Sequence, residues 1–80
     1  MLQAEIHDKL AGVIRNFFEL PDLAIDESTT AAQVDGWDSV AHVELIVAVE
    51  KAFAVRFTTK EVKALRTVGD LGNLLARRTA

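Results

Sequence analysis

The spacing of apolar residues constrains this chain most. Leu2, Ile6, Leu10, Val13, Ile14 and Phe17 recur at steps of three and four, the pattern of one buried stripe on a helix. It predicts a helix over about residues 3–18. Pro21 cannot continue that helix, and Leu20-Pro21 reads as extended chain or a turn. A second helix is predicted from Asp38 or Ser39 to Phe53, with Asp38 a good N-cap type. Thr58 and Glu61 have capping-box spacing and open a short helix through Val62 and Leu65. Thr67-Val68-Gly69-Asp70 starts a last helix over about 68–77 carrying Leu71, Leu74 and Leu75. No segment alternates like a strand, although 54–58 could be briefly extended. The expected fold is all-α: a small bundle of three main helices plus one short helix, with a long loop over 19–37 between the first and second. Ile25, Val34 and Leu23 would anchor this loop, and Gly36 at its end permits a backbone angle other residues resist.

Length sets the functional class. Eighty residues hold one domain, over 1–80. A chain this short buries only roughly 60% of its unfolded surface and has no room for a catalytic domain with its own deep cleft. A partner or a carried group must supply most of the function. Without cysteine there is no disulfide, thiolate metal site or cysteine nucleophile. No apolar run approaches the roughly 18 residues of a membrane span. The N-terminus does not read as a secretory signal, so a cytoplasmic location is expected.

The net charge of −3 hides a strong asymmetry. Residues 19–50 hold eight acids and no Lys or Arg, whereas 51–80 hold seven bases and two acids. Such a block either steers a basic partner and repels nucleic acid, or gathers acids in a solvated loop and beside a helix start.

The second helix has two apolar faces. Leu45, Ile46, Val49, Ala52 and Phe53 form one arc, with Ala41 at its margin, and this is the natural core face. Val40, Val43 and Val47 lie opposite. That second arc is either covered by the long loop or exposed as a docking stripe. Ser39 stands at or next to the first helical position, where unpaired N–H groups and partial positive charge suit a phosphate ester. The alternative is a serine that only helps to start the helix.

Gly36-Trp37-Asp38-Ser39-Val40, followed by Val43-Glu44-Leu45, resembles the modification motif of acyl carrier proteins. The helix order makes the resemblance cover nearly the whole chain. It implies that Ser39 carries a covalent 4′-phosphopantetheine arm, transferred from coenzyme A by a phosphopantetheinyl transferase. The arm's thiol would hold acyl groups as thioesters. The chain would then be a carrier, not an enzyme, and would need neither a catalytic residue nor a metal of its own. Asp35, Asp38, Glu44 and Glu50 would meet basic patches on partner enzymes, with Val40, Val43 and Val47 the apolar part of the same face. Partners would be the transferase, an acyl- or aminoacyl-loading ligase or transferase, and downstream biosynthetic enzymes. Nucleic acid and stable membrane insertion are not expected, and the carrier would be a monomer.

Departures from the pattern point away from housekeeping fatty-acid synthesis. Val40 replaces the usual leucine, Lys51 stands where many such carriers have an acid, and the last thirty residues are basic. A specialised pathway fits better, with polyketide-like, modified-lipid or aminoacyl chemistry. Alternatives are a peptidyl or aminoacyl carrier and an unmodified helical adaptor.

Other residues read as structural. His42 projects onto the core-facing arc as a packed neutral histidine, His7 as a solvated helix residue, and Trp37 as packing the loop on the bundle. Phe17, Phe18, Phe53 and Phe57 read as core. Asp22, Asp26 and Glu27 lack the spacing of a calcium loop. Arg77 and Arg78 read as a solvated helix end.

Overall fold

A computed structural model describes residues 3–79. Four helices follow in order: α1 (Gln3–Phe18), α2 (Ser39–Phe53), α3 (Thr59–Ala64) and α4 (Val68–Thr79). A short 3₁₀ turn, Ala31–Gln33, interrupts the connection between α1 and α2. No strand occurs among the described residues; one isolated antiparallel bridge joins Thr30 to Thr67.

The predicted stripes form the core. Ile6, Leu10 and Ile14 of α1 pack with Leu45, Ile46, Val49 and Phe53 of α2 and with Val68, Leu71 and Leu75 of α4. Leu2, the first residue of the predicted α1 stripe, lies outside the described residues. Phe17, Phe18 and Phe57 are half-buried against this core.

Each helix ends for a local reason. After α1, Glu19 takes a left-handed φ of 56° and the Leu20 N–H donates to Arg15 O at 2.9 Å. After α2, Ala54 takes φ 55° and the Val55 N–H donates to Glu50 O at 3.0 Å. These are Schellman-type stops built on residues with a Cβ. Thr58 and Glu61 cap α3 reciprocally, as their spacing predicts. Thr67 Oγ1 accepts from the Asp70 N–H at 3.1 Å, while Asp70 Oδ2 accepts from Arg66 and Thr67 N–H groups.

The long connection is pinned rather than loose. Arg15 Nε donates to Leu23 O at 2.8 Å. Asp26 accepts from the backbone and hydroxyl of Ser28, and these bonds hold its carboxyl below the ordinary 3.8. Glu27 O and Thr29 O accept from Gly69 and Val68 N–H groups, both at 2.9 Å, and so cap the start of α4 from across the fold. Gly69 is required there: a Cβ would lie 2.8 Å from Glu27 O.

Two sequence readings are corrected. His7 is half-buried rather than solvated, against Gly72 and with Nε2 3.4 Å from Glu27 Oε1, because α1 and α4 approach closely at that glycine. Arg78 is not simply solvated: it pairs with Glu61 of α3, and its Nε donates to Arg56 O. The 54–58 segment forms no strand, as expected, and Thr58 at its end is extended.

Candidate functional site

Gly36 turns the chain into α2 with φ +87°, a conformation that favours glycine. The turn places Trp37 against the bundle. Its ring lies 5.5 Å from that of Phe18 and stacks on His42 at 6.1 Å between centroids. Trp37 Nε1 donates to His42 Nδ1 at 3.1 Å. His42 is half-buried and packed against Trp37.

Asp38 is the N-cap of α2, its Oδ1 accepting from the Ala41 N–H at 2.8 Å. Ser39 is the first helical residue and is exposed. Because Asp38 does the capping, the Ser39 hydroxyl has no hydrogen-bond partner among the described residues. The N–H groups of Ser39 and Val40 are likewise unpaired there, and they carry the positive end of the helix dipole.

The second arc of α2 is open. Val40, Val43 and Val47 are 68%, 59% and 43% exposed. Glu44 on the same helix and Asp35 in the connection before it are also exposed. Leu20, at the end of α1, is a fourth exposed large apolar side chain that the sequence reading did not single out. Glu50 differs from the other acids: it is half-buried, and its Oε2 accepts from the Phe57 N–H at 2.8 Å. Its carboxylate holds the α2–α3 connection.

A groove of about 520 Å³ opens beside Ser39. Its walls include Asp38, Ser39, His42 and Val43 from α2, Val62 and Lys63 from α3, and Leu65, Arg66 and Leu71 beyond. That volume lies within the range of small-molecule sites, roughly 300–1,000 Å³. Sequence periodicity could not show the groove, because it arises from the spacing between α2 and α3. Among the described residues, no group of three or more His, Asp or Glu side chains could hold a metal. No described helix is long and apolar enough to cross a membrane.

Comparison with known proteins agrees with this geometry. The family model described as "Phosphopantetheine attachment site" matches residues 8–75. The acyl carrier protein of Acidothermus cellulolyticus is 35% identical over 75 residues, covering 94% of this chain and 89% of that protein. The acyl carrier protein of Thermosynechococcus vestitus is 30% identical over 81 residues, covering 100% and 99%. The solution structure of holo acyl carrier protein from Geobacter metallireducens superposes with a TM-score of 0.84 at 32% identity, covering 90% of this chain and 83% of that one. The chain thus belongs to the acyl carrier protein family, whose members are carriers rather than enzymes and bear a covalent 4′-phosphopantetheine arm.

Proposed function

We propose that Ser39 is the attachment residue and that the chain presents acyl intermediates to successive enzymes of a specialised biosynthetic pathway. The observation that carries this reading is the Ser39 hydroxyl: exposed, released from capping by Asp38, and at the edge of the groove. The residues around it suit the arm. The unpaired Ser39 and Val40 N–H groups are positioned for a phosphodiester on Ser39. When bound, the arm supplies a thiol that holds the acyl group as a thioester.

The chain's own residues do the recognition. Asp35, Asp38 and Glu44 supply negative charge that guides a basic enzyme surface, and Val40, Val43 and Val47 supply apolar contact. Each contact is small and exposed, which suits a carrier that must leave one partner for the next. Glu50, tied to Phe57, serves this face by holding the end of α2. The apolar side chains of the groove, Val43, Val62, Leu65 and Leu71, give a carried chain somewhere to rest. Val40, Lys51 and the basic third of the chain support a specialised pathway over housekeeping fatty-acid synthesis.

The test is charging of the protein after coenzyme A and a broad transferase have placed the arm on Ser39. An acyltransferase with acyl-CoA donors should then move the acyl group to the arm's thiol, releasing coenzyme A and giving an adduct that hydroxylamine cleaves. Charging only with amino acids, by an adenylating enzyme, would replace this reading with that of an aminoacyl carrier.

A further inference from the structure

We propose that the groove beside Ser39 favours acyl groups ending in a carboxylate, held by Lys63 and Arg66; this rests on the carrier reading above. Both cations line the same groove as Ser39. Neither has a carboxylate within ion-pair distance among the described residues.

The reason is local. The acids nearest to them in sequence are already engaged. Glu61 accepts from the Thr58 N–H and pairs with Arg78. Asp70 accepts from the Arg66 and Thr67 N–H groups as the cap of α4. The groove lining therefore holds two cations, neither of them ion-paired, against the single carboxylate of Asp38.

The α2 residues of the groove add to the selection. Trp37 occupies His42 Nδ1, so a neutral ring keeps its own N–H on Nε2, and His42 is one of the residues that line the groove. Asp38 also lines the groove, beside Ser39. Its negative charge disfavours a terminal carboxylate on the α2 side and leaves the Lys63–Arg66 wall as the favourable end. Val43, Val62 and Leu71 accommodate the methylenes between thioester and carboxylate. A purely alkyl chain would gain the apolar contacts but make no ion pair with the exposed cations.

The experiment compares glutaryl with the isosteric 5-methylhexanoyl group, each loaded on Ser39 from its coenzyme A thioester by a broad transferase. Hydroxylamine cleavage is measured relative to the free coenzyme A thioester. The glutaryl protein should be protected about threefold more than its isostere, the scale of exposed ion pairing. The preference should shrink with added salt. Lys63→Ala with Arg66→Ala should abolish it, and Lys63→Arg with Arg66→Lys should retain it. Equal or better protection of the isostere, or a preference that survives the double alanine change, overturns the inference alone. Failure of Ser39 to accept either group overturns the carrier reading and the inference together.

Discussion

The Trp37 indole N–H donates to His42 Nδ1 at 3.1 Å, and the two rings stack. This contact links the loop that delivers Ser39 to the first turn of the helix that presents it. Trp37→Phe keeps a ring to stack but removes the donor, leaving His42 Nδ1 without its partner. Stability should fall by about 1 kcal/mol, read as a lower urea midpoint. Trp37 is the only tryptophan, so its fluorescence reports on the candidate site directly.

The start of α4 is capped by the carbonyls of Glu27 and Thr29, and Gly69 allows that approach. Gly69→Ala forces a Cβ against backbone oxygen, which has no rotamer to escape into. A loss of about 1–3 kcal/mol is expected in chemical denaturation.

Ala54 is an exposed non-glycine residue in the left-handed region at the end of α2. Ala54→Gly relieves the Cβ strain without removing packing. Thermal unfolding should show a gain of roughly 0.5–1 kcal/mol.

The Glu61 carboxyl lies below its ordinary 4.5, chiefly through the Thr58 N–H hydrogen bond and then through Arg78. A depressed carboxylate contributes stability above its unfolded value, and that contribution is lost as pH falls through the lower folded value. Urea midpoints should therefore decline on acidification below about pH 4.5. Glu61→Gln should flatten that part of the decline.

The two faces of α2 should separate stability from docking. Leu45 is fully buried, and Leu45→Ala should cost about 2–5 kcal/mol. Val43→Ser and Val47→Ser change exposed side chains and should move stability by no more than about 0.5 kcal/mol. The same valine changes should slow modification by a phosphopantetheinyl transferase, measured as the rate of mass gain.

Local chemistry was legible in the sequence. Apolar spacing marked the core faces of α1 and α2, and the Asp38, Thr58–Glu61 and Thr67–Asp70 signals marked helix starts, because each depends on residues within a turn or two. The Gly36 turn and the second apolar arc of α2 were legible for the same reason, but whether the long loop covers that arc or leaves it exposed was not. What escaped was contact between distant segments. The carbonyl caps of Glu27 and Thr29, the Thr30–Thr67 bridge, His7 against Gly72 and the Arg78–Glu61 pair all join residues that only the fold brings together. Glu50 shows the limit within one candidate face: its charge matched the other acids, but the return of the chain at Phe57 engages its carboxylate.

The central claim is that Ser39 receives the arm. Intact-mass measurement of the protein after treatment with coenzyme A and a broad phosphopantetheinyl transferase tests it most directly. The account predicts a gain of one phosphopantetheine on the unaltered chain and none on Ser39→Ala. No gain on the unaltered chain, or an equal gain on Ser39→Ala, would contradict it.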